Sequence, residues 1–400
     1  MNCKVCMADF TEKDKPLIVD IPETGPVHLF CYSPYVPETN LRVLVNIRCW
    51  SLGDTIAVTP AIRELRRTHP KAAIDVITFF PELFKYSPHV RNVFDRHSVL
   101  PSTIANGYIK VLDAFDNTKQ RHWATHAVEY SAKATLEKSL HLEDWWTEVH
   151  YLEADLKAAK QIAGFQEEDK VILVHPHKTE WETRDWGPSH MPELCRRLKE
   201  AYPDHKIVSI GGKRSEPGAI NSMDNHVPIE GSVDLYGKLT ILQTLALMDL
   251  PQVKLLVTPD TGTLHMGGSR KELPIVGIFT LIKPEFRVPV RNGVFGYRFE
   301  AVSTSACNCT YDMKSLTSNP NISKCPKRVF LENTLAAGIP TRDKLTGLHN
   351  YDGKSWEEEG LSDKIKAELE KYKPGNLLCF PAVDLVFAAC AKFLGESKNG

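Results

Sequence analysis

Three sets of residues in this chain have the types and spacing to do chemistry. In the first, Leu255-Leu256-Val257-Thr258-Pro259-Asp260 runs into Thr261-Gly262-Thr263-Leu264-His265. The pattern predicts a buried strand, a sharp turn and the start of a helix. N–H groups of a first helical turn lack intrahelical partners and sit at the positive end of the helix dipole, which favours an anion, typically a phosphate. Thr261 and His265 are four apart, so both can face that anion. An ordinary helix capped by Asp260 or Thr261 is the alternative. In the second set, Gly53-Asp54 follows the apolar run Leu41 to Ile47. That places Asp54 at the carboxyl end of a predicted strand, where ligands of open α/β sheets bind. A carboxylate there can take a proton from a hydroxyl, or it can serve as a helix N-cap. In the third set, Cys3-Lys4-Val5-Cys6 precedes His28-Leu29-Phe30-Cys31. C-x-x-C followed by H-x-x-C suits a tetrahedral zinc, and four protein ligands leave no open position, so such a zinc is structural. Unligated side chains on a loose tail are the alternative. The stretch between the pairs reads as a loop or small hairpin, too short to hold itself together without metal.

The elements that must position these residues alternate strand and helix. Leu41 to Ile47, Ala73 to Phe79 and Tyr108 to Ala114 read as buried strands, near-continuously apolar as in a parallel sheet. Thr55 to Thr68 reads as an amphipathic helix, with Ile56, Ile62 and Leu65 inward and Arg63, Glu64, Arg66 and Arg67 outward. Pro60 kinks that helix or displaces its start. Arg121 to Leu140 looks helical. A second unit begins near Lys170, with strands Val171 to His175, Lys206 to Gly211, Lys254 to Thr258 and Pro274 to Phe279. Its helices are Ser189 to Ala201 and a segment ending at Leu250, opened by the capping box Thr240-Ile241-Leu242-Gln243. This alternation predicts α/β architecture with doubly wound parallel sheets. Lys/Glu-rich Asp363 to Lys373 suggests an exposed helical insertion, and Pro381 to Leu394 an amphipathic helix.

Length and composition set the frame. Four hundred residues is too long for one ordinary core, so two domains are the default. A formal charge of −1 disfavours dependence on a wide basic surface for nucleic acid. No apolar run is long enough to span a bilayer, and the N-terminus lacks the apolar core of a signal peptide. The ten cysteines are then expected as thiols or metal ligands rather than disulfides. A cytoplasmic protein follows, with peripheral visits to the inner face of the membrane left open.

Three segments carry a resemblance. They are Val43-Leu44-Val45-Asn46-Ile47-Arg48 through Gly53-Asp54 to Thr59-Pro60-Ala61-Ile62; Val174-His175-Pro176-His177-Lys178 with Arg184-Asp185-Trp186-Gly187-Pro188; and Leu239-Thr240-Ile241-Leu242-Gln243 leading to Pro259-Asp260-Thr261-Gly262-Thr263-Leu264-His265. Together, in this order, the chain resembles the heptosyltransferase family of glycosyltransferases, glycosyltransferase family 9. The resemblance implies a GT-B fold: two Rossmann-like domains facing a cleft, here with a small N-terminal zinc-binding module. It divides the chain into a zinc-binding module (1–38), an acceptor domain (39–155), a nucleotide-sugar domain (156–330), an insertion (331–376) and a C-terminal helix packing back on the acceptor domain (377–400).

The resemblance also implies an inverting, metal-independent transfer from a nucleotide sugar, possible donors including ADP-heptose, to a saccharide or glycolipid. The family's base falls on Asp54. Its phosphate-binding lysine, two residues before a tryptophan, falls on Arg184 before Trp186. That is a departure, but a guanidinium keeps the charge and binds phosphate in a bidentate way; a surface ion pair with Asp185 or Glu182 is the alternative. Thr261, Gly262 and His265 match the family's phosphate-binding turn, and Lys178 is a further contributor. Glu216 falls where the family contacts the nucleotide ribose, or is a solvated loop carboxylate. Cys307, Cys309, Cys325 and Cys379 resemble a late cysteine cluster of some members; the one-residue gap is unusual for zinc, and buried inert thiols are the alternative. Two other readings stand beside this one. The same chemistry on a polymer such as modified DNA bases or protein is one, its nucleic-acid version disfavoured by the charge. A non-catalytic zinc-containing binding protein is the other.

Overall fold

The computed structural model describes residues 41–114, 126–135, 142–176, 186–212, 228–280, 282–304, 332, 363, 366–367, 369–370 and 380–395, and the backbone alone of 18–21 and 25–28. The described chain divides into two compact units, residues 1–156 with 289–295 and residues 157–288 with 296–400.

The first unit opens with a hairpin of β1 (Ile18–Ile21) and β2 (Gly25–His28), antiparallel, with Ile18 opposite His28. Then follow β3 (Arg42–Ile47), α1 (Leu52–Ile56), α2 (Thr59–Thr68), β4 (Ala73–Thr78), β5 (Asn92–Asp95), α3 (Pro101–Ala105), β6 (Lys110–Ala114) and α4 (Ala127–Thr135). Strands β5-β4-β3-β6 form a parallel sheet in that order. Val43, Leu44, Val45 and Ile47 are buried, as a strand covered on both faces requires.

The expected helix Thr55 to Thr68 is two helices. Proline lacks an N–H and its ring clashes with the carbonyl four residues back, which here is Ile56, the last residue of α1. Pro60 lies instead in the first turn of α2, where a missing N–H has no cost. Glu64, expected outward, is buried. It accepts from Arg67 Nε at 2.9 Å and Nη2 at 2.7 Å, and these bonds hold its carboxyl below the usual range against the opposing effect of burial.

The second unit contains α5 (Glu153–Ala163, which begins in the first unit), β7 (Lys170–Val174), α6 (His190–Ala201), β8 (His205–Ser209), β9 (Val233–Asp234), α7 (Ile241–Met248), β10 (Val253–Pro259), α8 (Gly262–Gly268) and β11 (Ile275–Ile278). After the hairpin β12 (Val290–Arg291) and β13 (Val294–Phe295), which belongs to the first unit, come β14 (Phe299–Val302) and α9 (Val383–Gly395). The sheet order is β9-β8-β7-β10-β11-β14, parallel throughout. The chain steps outward from β7 to β9, returns, and steps outward from β10 to β14. The capping box of α7 is present: Gln243 N–H donates to Thr240 Oγ1 at 3.2 Å and Thr240 N–H to Gln243 Oε1 at 3.0 Å.

The terminal helix α9, expected on the first domain, packs on the second unit. Its stripe Val386, Ala389, Cys390 and Leu394 joins a core with Val257, Val276, Ile278 and Leu194. The spacing makes one apolar face, and β10, β11 and β14 offer an apolar sheet face that must be covered. The buried Trp186 fixes the approach to this helix by donating its indole N–H to Pro381 O at 2.8 Å.

Candidate active site

In each sheet the loops at the carboxyl ends of the strands flanking the reversal of strand order are where a ligand is expected. In the first unit those strands are β3 and β6. Chain leaving β3 passes Arg48, Cys49 and Trp50 to Ser51, whose extended backbone makes it the N-cap of α1. Ser51 Oγ accepts the Asp54 N–H at 3.4 Å, and Thr55 Oγ1 donates back to Ser51 O at 2.9 Å. Asp54 is therefore not the cap but lies in the first turn of α1, half-buried, with its carboxylate near the positive end of the helix. Cys49 beside it is buried, and burial, with the Asp54 charge second, pushes its thiol up to about 12. The Cys49 thiol is therefore held protonated and is no candidate for taking a proton there.

A polar network backs this edge. Asn46, near the end of β3, donates to Asp113 Oδ1 at 2.6 Å and accepts from Arg96, while Arg48 Nη1 reaches Asp113 Oδ2 at 3.5 Å. Burial lowers the Arg96 guanidinium, with the neighbouring Arg48 charge acting the same way. Trp50 stacks on Phe79 at this edge. None of Asn46, Arg96, Phe79 or Asp113 was singled out by sequence reasoning. The strand ends would have found them: β3, β4, β5 and β6 terminate within a residue or two of Asn46, Phe79, Arg96 and Asp113. The short, half-polar β5 had no periodicity to reveal it.

In the second unit the corresponding strands are β7 and β10. His175, one residue past β7, is buried; its Nδ1 lies 2.9 Å from Ile210 O, and since a carbonyl only accepts, Nδ1 carries the proton. Gly211 is required beside it, because a Cβ there would come within 2.5 Å of the Tyr236 ring and 3.3 Å of His175 Cε1. Past β10, Asp260 N–H extends the ladder to Ile278 O at 3.0 Å before the chain turns into α8. Thr261 is the N-cap, but its side chain makes no capping bond; Thr261 Oγ1 lies 3.3 Å from Thr258 Oγ1. Thr261, Gly262 and His265 are half-buried, whereas Thr263, Leu264, Met266, Gly267 and Gly268 are buried against the sheet. The three residues expected to meet an anion thus share the side of α8 turned from its core. Gly267 lets that helix sit close: its Cβ would fall 2.5 Å from Leu256 Cδ2.

Lys178, Arg184 and Glu216 lie outside the described residues, as do Cys3, Cys6, Cys31, Cys307, Cys309, Cys325 and Cys379; of His28 only the backbone is described. Among the described residues no group of three or more His, Cys, Asp or Glu could hold a metal ion, and no helix is long and apolar enough to cross a membrane.

Comparison with known proteins bears on the fold and the family. The chain resembles in structure a family 9 glycosyl transferase from Veillonella parvula DSM 2008 (15% identity, 89% of this chain and 98% of that one, TM-score 0.55). It also resembles the E. coli ADP-heptose LPS heptosyltransferase II (15% identity, 70% and 98%, TM-score 0.51). A third likeness is to the iron-containing dodecameric glycosyltransferase TibC of enterotoxigenic E. coli H10407 (11% identity, 83% and 80%, TM-score 0.50). At these identities the likeness establishes the α/β fold with parallel sheets. No curated protein matches the chain. The family model for glycosyltransferase family 9 (heptosyltransferase) matches residues 103–318, more than half of the sequence, and takes in the whole β7-to-α8 region while stopping short of Asp54. On that match the chain belongs to glycosyltransferase family 9, the heptosyltransferase family, and is a nucleotide-sugar glycosyltransferase.

Proposed function

We propose that the protein moves a heptose or other hexose-like sugar from an ADP-linked donor to a hydroxyl of a saccharide or glycolipid, with inversion and without a catalytic metal. In this reading Asp54 takes the acceptor proton as the acceptor oxygen bonds to the anomeric carbon. The bond from that carbon to the diphosphate oxygen breaks, and its electron pair leaves with the nucleoside diphosphate. Charge on the leaving group is met by Arg184 and Lys178 and by the α8 start at Thr261, Gly262 and His265. Glu216 accepts from the ribose hydroxyls. The first unit thus serves the acceptor and the second the donor. The observation that carries the reading is the placement of Asp54: a half-buried carboxylate in the first turn of a capped helix, directly off the carboxyl end of β3. The donor identity is supported by the structural likeness to an ADP-heptose enzyme.

The test incubates ADP-heptose with the protein and a panel of saccharides, glycolipids, DNA and proteins, with and without added Mg²⁺, and reads product linkage by NMR. Transfer to a saccharide with inverted configuration, equal in both metal conditions, is the expected result. Retention, Mg²⁺ dependence, or transfer only to DNA or protein would each refute a part of it.

The Cys3, Cys6, His28 and Cys31 set supports a separate proposal, a structural zinc. Three thiolates and an imidazole suit that ion, and a two-stranded hairpin is too small to be stable by itself. One zinc per chain in purified protein, lost in Cys6→Ser, is expected; unchanged metal content would refute it.

A further inference from the structure

At the carboxyl edge of the first sheet the chain exposes a tryptophan that the core does not need. Trp50 is 53% exposed, yet it is held in place. Its ring stacks on Phe79 with centroids 4.0 Å apart and planes 24° from parallel, and His97 meets both rings edge-on, at 6.1 Å and 5.1 Å. Phe79 is itself covered by the Arg96 guanidinium, 5.4 Å over the ring, and Arg96 is tied to Asn46 at the end of β3. Trp50 immediately precedes the cap residue Ser51, so the helix that carries Asp54 also fixes the indole. Leaving this much aromatic surface in water is unfavourable, and a ligand that covered it would recover that free energy.

The rim says what kind of ligand. Arg48 and Asp113, paired at 3.5 Å, have side chains 47% and 50% exposed. An aromatic face beside planar donors and acceptors matches a pyranose, whose C–H groups present an apolar face and whose hydroxyls project from its edge. A nucleobase would also stack, but a nucleic acid carries phosphates along its length and is served poorly by a chain of formal charge −1. We propose that Trp50 is a positioning residue of the acceptor site: its indole carries one pyranose ring of the acceptor by face-on stacking, with Arg48 and Asp113 bonding that sugar's hydroxyls. The proposal rests on Asp54 being the base, since it places the acceptor sugar beside that carboxylate.

The test uses methyl glucopyranoside, methyl mannopyranoside and adenosine as probes of the full-length protein, followed by saturation-transfer NMR and intrinsic fluorescence. The wild type is expected to pass saturation to C–H protons of one face of a pyranoside and to change its fluorescence. Trp50→Leu is expected to weaken pyranoside binding by about tenfold and Trp50→Phe by only ~2–3-fold, as removal or shrinkage of a stacked ring predicts. Circular dichroism establishes that both variants fold. In transfer assays with an acceptor found by the panel above, Trp50→Leu should raise the acceptor KM far more than it lowers kcat, with Trp50→Phe restoring most of the loss. No saturation transfer to either pyranoside, equal pyranoside binding by Trp50→Leu, or a Trp50-dependent response to adenosine alone would overturn the proposal. The binding arm needs no turnover, so it is independent of Asp54: a wild type inactive with ADP-heptose would sink the proposed function and leave the stacking result to be read separately.

Discussion

The two parallel sheets reverse strand order in the same way around β3 and β7, yet they differ in the charges buried behind them and in the edges they present. Behind the first edge lie buried charges. Asp75, fully buried, accepts from Arg91 at 2.9 and 2.5 Å, from Tyr108 at 2.6 Å and from the Asn92 N–H at 3.0 Å. Burial and then that bond to Asp75 push the Tyr108 phenol up to about 12. Glu148 gathers His89 at 2.9 Å, Arg63 at 3.2 Å and His150 at 3.6 Å. Behind the second edge lie Ile172, Val174, Leu255, Val257, Val276 and Ile278 under α6 and α9, with glycines at the closest approaches. Both sheets bury apolar strands, but the first unit adds buried carboxylates that must be paired, whereas the second relies more on close fitting at its glycines. The edges follow suit: carboxylate, guanidinium and indole on the first, hydroxyls, glycine and backbone N–H on the second. In the proposed reading the carboxylate of the first edge takes the acceptor proton and the helix start of the second meets the diphosphate.

The largest effect expected from this contrast is chemical. Asp54→Ala should lower transfer by about 10²–10⁴-fold, the usual range for loss of a general base, with the melting temperature unchanged. Full transfer by this variant would remove the first edge from the chemistry. Next comes the buried charge. Burial raises the Glu148 carboxyl, but its bonds to His150 and His89 and the Arg63 charge overcome that and hold it well below the usual range. A depressed carboxyl contributes stability above its unfolded pKa and loses it as pH falls toward the folded one. Acid titration of unfolding should therefore show a decline below about pH 4.5 that Glu148→Gln flattens. At pH 7 the same substitution should cost roughly 1–3 kcal/mol by weakening the charged hydrogen bonds to His89 and His150 and the pairing with Arg63, which keeps Asp144 at 3.0 Å. No pH-dependent difference between the two proteins would break the contrast in how the sheets are held.

Shape governs the smaller effects. Gly267→Ala puts a methyl 2.5 Å from Leu256 Cδ2 and 3.0 Å from Ile275 Cδ1. A cost of ~1–3 kcal/mol is expected from overpacking, measured by denaturant unfolding and nearly independent of pH. Smallest is His265→Ala, which should raise the KM for the nucleotide sugar by about tenfold, a loss near 1.4 kcal/mol, with the acceptor KM unmoved. A shift in the acceptor KM instead would show that the two edges do not divide the substrates as proposed.

Much of this was legible in the chain because the signals are local. β3 and β10 announce themselves as near-continuous apolar runs, the Thr240 capping box satisfies two N–H groups within one turn, and Pro60 dictates a break at a carbonyl four residues away. The class of architecture and the α8 turn follow from such patterns. Other features are long-range and left no local mark. Phe79, Arg96 and Asn46 meet only because β3, β4 and β5 pair in register; strand ends mark Asn46 and Phe79 as edge residues, but no neighbouring residue foretells that they meet Arg96. Glu64 looked solvent-facing because periodicity sees polarity and not the Arg67 that makes its burial tolerable. α9 was read correctly as amphipathic, but an apolar stripe does not name the sheet it will cover. By itself the sequence determined the longer, strongly patterned elements and the kinds of group available to a donor and an acceptor, since hydrogen bonding and periodicity act within a few residues. Only the tertiary structure decided which strand ends lie together, and so which side chains surround Asp54, because pairing between distant strands is set by the closure of both cores at once.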